Sequence, residues 1–171
     1  MMKHVDMPNT MKEVIPGAGC DELFWRFLEL NEKYTFSDIF ICVGTNYLSD
    51  RFWTNDEIAH EIKNFLVALN AITPSTTRLT YLQILPKRGR YIKNIYLPRI
   101  NYINRFIDDW FLDSEVDFVN FHDLGNIFNS LNVFNIICWD GTHLNYYGAK
   151  MVGEYIIKQL QYDCMYSDDR L

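Results

Sequence analysis

Apolar residues recur along this chain with two different periods, and the two alternate. In "CDELFWRFLELNEKY", from residue 20, Leu23, Phe24, Phe27, Leu28 and Leu30 share one helical stripe. "DIFICVG" (38–44) is a short apolar run between turn residues; with Ile39, Ile41 and Val43 it predicts a strand buried on both faces. Thr54 followed by Glu57 is a capping-box signature, and Ile58, Ile62, Phe65, Leu66 and Leu69 continue as a helical stripe until "ITPSTT" stops it. "RLTYLQIL" (78–85), closed by Pro86, predicts the next strand. Ile100, Ile103, Phe106, Ile107 and Trp110 predict a further helix, and "VDFVNF" (116–121) a further strand. A last helix from Tyr146 to about Gln161 buries Met151, Val152, Tyr155, Ile156 and Leu160.

Short strands alternating with helices imply an α/β fold, a parallel sheet with helices on both faces. Ligands of such sheets bind beyond the carboxyl ends of the strands, so the turns ending the strands are where chemistry is expected. Nothing in 1–171 reads as a repeat or a linker, which predicts a single domain.

Composition narrows this picture. The chain is 49% hydrophobic and 16% aromatic, enough to bury a core. A formal net charge of -6 argues against a protein built wholly around nucleic acid. The cysteines, at 20, 42, 138 and 164, have no C-x-x-C spacing, so neither a metal site nor a disulfide framework is expected, and Cys42 reads as core. No stretch reaches the apolar length of a membrane span and "MMKHVDMPNTMKE" lacks the apolar core of a signal peptide, so a cytoplasmic location is the default expectation.

Three turns carry candidate chemistry. In "IPGAG" (15–19), Gly17 and Gly19 let the backbone approach a ligand with free N–H groups beside a helix start, as a plain Pro-Gly turn also would. In "VGTN" (43–46), Asn46 sits at the carboxyl edge of a strand, where its amide can donate to a developing oxyanion or simply cap the loop. In "CWDGTHLNYYG" (138–148), Asp140 can accept from His143 Nδ1–H, which leaves Nε2 as a base; Asp-Gly is also a common turn.

A Gly turn, a strand ending in GTN and D-x-x-H-L before the last helix, in that order, resemble blocks II, III and V of the SGNH (GDSL-type) hydrolase superfamily. The resemblance runs from about residue 13 to 160, and "ILPKRG" (84–89) resembles the family's fourth strand and the loop after it. It implies a three-layer α/β/α flavodoxin-like sheet and hydrolysis of small acyl esters, with no cofactor and no metal. It further implies that His143 is the base and Asp140 its orienting partner. Gly17 would be the backbone oxyanion donor, with Gly19 as the competing register, and Asn46 the side-chain donor.

The family's block I, G-D-S with the nucleophile after the first strand, is absent. The six serines (Ser37, Ser49, Ser75, Ser114, Ser130, Ser167) all lie downstream of Gly17. The expectation is therefore a sheet missing its first strand and a chain inactive without its serine. Either a stretch upstream of Met1 carries both, or the chain is a pseudoenzyme; the retained Asp140, His143 and Asn46 favour the first. Cys20 follows the Gly turn but not at the nucleophile's place, and is expected to be structural.

A binding role is the alternative. Lys87, Arg88, Arg90, Lys93, Arg99 and Arg105 run through 84–106 without an acid, interleaved with Tyr91, Tyr96 and Tyr102, a composition that can grip nucleic acid. The OSK domain of the insect protein Oskar, an SGNH-like relative, has lost catalytic residues and binds RNA. A solvated loop leading into an amphipathic helix is the plainer reading of the run. The loops 46–53 and 87–96 are the expected walls of a partly apolar substrate site.

Overall fold

The computed structural model describes residues 9–87, 96–113, 118–120, 135–138 and 140–166. Helix α1 (Cys20–Asn31) is followed by strand β1 (Asp38–Ile41), a 3₁₀ turn (Tyr47–Ser49), helix α2 (Asn55–Ile72) and strand β2 (Arg78–Tyr81). Helix α3 (Leu97–Asp113), strand β3 (Phe118–Asn120) and the last helix, here α4 (Tyr146–Tyr166), complete the order. The strands form one parallel sheet in the order β1-β2-β3, with Ile39 opposite Leu79 and Thr80 opposite Val119.

Strand alternation sorts the core into two layers. Ile41, Leu79 and Tyr81 face α1, α2 and α3, and join Ile58, Ile62, Leu66, Leu69, Ile100, Ile103 and Ile107 in the larger core. Phe40 and Leu82 face the other way, onto Ile136, Ile137 and Val152 of the α4 side. The result is the expected three-layer α/β/α arrangement. Each fully buried aliphatic side chain of α2 contributes about 1.5–3 kcal/mol, so helix docking rather than propensity holds the layers. The α2 start forms as its sequence predicts: the Thr54 hydroxyl accepts from the Glu57 N–H at 3.2 Å, and the Glu57 carboxylate accepts from the Thr54 N–H at 2.8 Å.

Two expectations about 38–44 are corrected. Ile39 and Phe40 are half-buried rather than buried, and Cys42 is exposed rather than core. Among the described strands β1 pairs only with β2, so this run lacks the two flanking strands that bury an interior one.

Past β2 the chain stays extended to Lys87, and α3 holds it there. Asn104 acts as a surrogate strand: its Oδ1 accepts from Ile84 N–H at 2.9 Å and its Nδ2 donates to Ile84 O at 3.0 Å. Gln83 Nε2 donates to Asp108 Oδ2 at 2.8 Å. The same helix clamps the loop after β1, since the Arg99 guanidinium donates to Leu48 O (3.0 Å), Trp53 O (2.5 Å) and Asn55 Oδ1 (2.9 Å).

Candidate active site

The turn before α4 is built around one carboxylate. Asp140 Oδ1 accepts from the Thr142 N–H at 2.8 Å and the His143 N–H at 3.0 Å, while Oδ2 lies 2.7 Å from His143 Nδ1. A carboxylate can only accept, so Nδ1 carries a proton, and in the neutral tautomer Nε2 is the nitrogen with the lone pair. The imidazole is half exposed, at 52%, and no described hydrogen bond reaches Nε2. Gly141, with φ 74°, supplies the left-handed residue that this tight turn requires.

Two supports place the turn. Ile137 bridges Leu144, and Cys138 N–H donates to His143 O at 2.7 Å, closing a small hairpin. Asn145 then caps α4, its Oδ1 accepting from Gly148 N–H at 3.1 Å and its Nδ2 donating to Asn135 O at 2.7 Å. Gly148 sits so close to that hairpin that a Cβ would lie 2.4 Å from Ile136 O. Asn145 was not singled out by the sequence reading, although an Asn directly ahead of an apolar helical stripe is a capping signal.

Partial burial pushes the Asp140 carboxyl up, but the hydrogen bonds from the His143 ring and from the His143 and Thr142 N–H groups outweigh it and hold it at about 2. The folded value lies below the ordinary one, so this stabilisation is complete above about 3.8 and is lost as pH falls through about 2. An NMR titration of the Asp140 carboxyl carbon is expected to show a midpoint near 2, and a midpoint at 3.8 would exclude the network.

The other two turns touch each other. Asn46 Nδ2 donates to Ala18 O at 2.8 Å, tying the loop after β1 to the Gly turn. Gly19 N–H is consumed by the Glu22 carboxylate at 2.9 Å, whereas Gly17 is exposed at φ 78° and its N–H has no described partner. Among the described residues no hydrogen bond joins Asn46 or Gly17 to His143. Next to Asn46, Lys87 Nζ donates to Ser49 Oγ at 2.6 Å on the 3₁₀ turn that Asn46 opens. Burial lowers the Lys87 pKa and the charge of Asp140 partly restores it, so the two loops share an electrostatic neighbourhood.

Lys87 is itself a correction. Expected in a solvated basic run, it is only 6% exposed, with its ammonium 5.1 Å from the Tyr96 ring centroid. Arg99 is likewise committed inward, and the Tyr102 hydroxyl donates to Asp56 at 2.5 Å. Arg88, Arg90, Tyr91 and Lys93 lie outside the described residues. Of the described cations in the run, Lys87 and Arg99 turn inward, and Arg105 is exposed with Asp109 3.7 Å away.

Cys20 is 2% exposed, and burial pushes its thiol up to about 12. Its N–H donates to the Tyr47 hydroxyl at 2.7 Å. Iodoacetamide at neutral pH is expected to leave Cys20 unmodified in the folded protein; alkylation before unfolding would contradict its burial. Among the described residues no three His, Cys, Asp or Glu side chains gather as a metal ion would need, and no described helix is long and apolar enough to cross a membrane.

No family model matches the chain, and no curated protein matches its sequence. Solved structures do match its fold. A lipase/acylhydrolase from Enterococcus faecalis is 16% identical, with a TM-score of 0.65 over 86% of this chain and 72% of that one. A catalytic mutant of an acetylxylan esterase from Geobacillus stearothermophilus is 12% identical, with a TM-score of 0.58 over 83% and 67%. At these identities the likeness is one of fold: the chain shares with these two proteins an α/β architecture, here a parallel sheet between helical layers.

Proposed function

We propose that this chain carries the acid–base and oxyanion parts of a serine-type hydrolase acting on small acyl esters. The carrying observation is the 2.7 Å contact between His143 Nδ1 and Asp140 Oδ2, with Nε2 exposed and unengaged among the described residues. In this reading Nε2 takes the proton of an attacking hydroxyl, and Asp140 stabilises the imidazolium that forms. Gly17 N–H and the second amide hydrogen of Asn46, the first being held by Ala18 O, receive the developing oxyanion. Water then releases the acyl group. Gly17 is preferred over Gly19 because the Gly19 N–H is already spent on Glu22.

No serine reaches His143 by a described hydrogen bond; in this reading the hydroxyl it serves is a Gly-Asp-Ser serine of the kind the sequence as given lacks. The fold neighbours, an acylhydrolase and an acetylxylan esterase, support acyl esters as the substrate class. A purely nucleic-acid-binding role is disfavoured by the inward commitment of Lys87 and Arg99.

The test is p-nitrophenyl acetate turnover by this chain and by a version extended upstream with a strand ending in Gly-Asp-Ser. A rise in saturable turnover on extension that is lost in His143→Ala is the expected result. An extended, folded protein without such turnover would remove the proposal.

A further inference from the structure

Ser49 and Lys87 are not used by the His143 chemistry, yet they form the closest serine–base contact among the described residues. Lys87 Nζ lies 2.6 Å from Ser49 Oγ. The lysine is 6% exposed, and among the described residues no carboxylate forms an ion pair with it; the Tyr96 ring centroid lies 5.1 Å from Nζ. Ser49 is exposed, so a reagent can approach the hydroxyl from solvent while the amine stays covered.

Both residues are held in place before any ligand arrives. Ser49 N–H donates to Asn46 O at 3.3 Å, and Arg99 fixes the carbonyl of Leu48 beside it. Lys87 ends the extended segment that Asn104 pins to α3. One helix thus sets the separation of the two reacting atoms, which is the preorganisation that nucleophilic catalysis needs.

We infer that Ser49 and Lys87 form a serine–lysine nucleophilic pair that accepts acyl groups from activated esters within this chain. It goes beyond the reading above, because it needs neither His143 nor an upstream serine. Neutral Lys87 Nζ takes the Oγ proton as Oγ attacks the ester carbonyl. The Oγ–C bond forms, the C–O bond to the leaving group breaks, and the departing oxygen keeps the electron pair and takes the proton from Nζ, which is neutral again. Water, deprotonated by the lysine, then cleaves the acyl-serine. Burial favours the neutral amine that this step requires, against the opposing charge of Asp140.

A fluorophosphonate probe tests the pair in the chain as it stands. Attack by Oγ forms an O–P bond, expels fluoride and leaves the proton on Nζ, and peptide mass spectrometry locates the adduct. Ser75, exposed in the loop after α2, is the internal standard. Ser49 is expected to label at least about a hundredfold faster than Ser75, the acceleration a positioned base supplies. In Lys87→Arg the charge and a donor remain but the base is lost, so the advantage over Ser75 is expected to vanish while the melting temperature holds. Equal labelling of both serines, no label on Ser49, or undiminished labelling in Lys87→Arg each overturns the pair. Because the readout is the identity of the labelled peptide, it fails or succeeds separately from His143-dependent turnover by the extended chain.

Discussion

Replacing His143 with alanine is expected to remove the kcat for p-nitrophenyl acetate that the extension adds, lowering that contribution by roughly a millionfold with KM little changed. The base acts only as the transition state forms, so its loss falls on kcat. Asp140→Asn dissects the couple further. The asparagine Oδ1 can still accept from the Thr142 and His143 N–H groups, so the turn survives. Its amide nitrogen, however, would face Nδ1 and push the ring proton onto Nε2, the wrong tautomer for a base. A fall of roughly ten-thousandfold in kcat is expected, with no change in melting temperature beyond a few degrees. Equal activity in Asp140→Asn would show that the carboxylate shapes the turn and nothing more.

A large loss of stability is expected from Gly44→Ala. Gly44 has φ 112°, a backbone conformation that residues with a Cβ rarely adopt. An added Cβ would also lie 2.6 Å from Ile84 Cδ1 and 2.9 Å from Ile62 Cδ1. Both isoleucines are buried, at 2% and 0% exposure, so neither can swing out to solvent. Strain of about 1–3 kcal/mol and overpacking of about 1–3 kcal/mol together give about 2–6 kcal/mol. Thermal unfolding should fall by roughly 5–20 °C for a domain of this size. Gly17→Ala separates the two causes, because φ there is 78° but nothing lies within 4 Å of the added Cβ. It should cost only the backbone part, and similar losses at both positions would refute the steric argument.

How much of this was legible in the sequence follows from what each residue's role depends on. The α2 start and the Asp140–His143 contact are set by neighbours three residues away, and local spacing predicts both. The contact between Asn46 and Ala18 joins residues 28 positions apart; only the family-like order of the motifs suggested it. Lys87 was misread because composition marks a basic run as solvated. Its burial depends on Asn104 and Ser49, which lie far from it in sequence and give no periodic signal. Cys42 was misread for the opposite reason, since an apolar run announces burial but cannot say whether a strand has partners on both sides.

Arg99, Asn104 and Asp108 lie on a single helix and grip two loops that share no backbone hydrogen bond among the described residues. The loops are therefore slaved to one rigid rod. Sliding or tilting that rod would carry the described parts of both loops along as a unit, so their spacing is set by how the rod seats on the sheet.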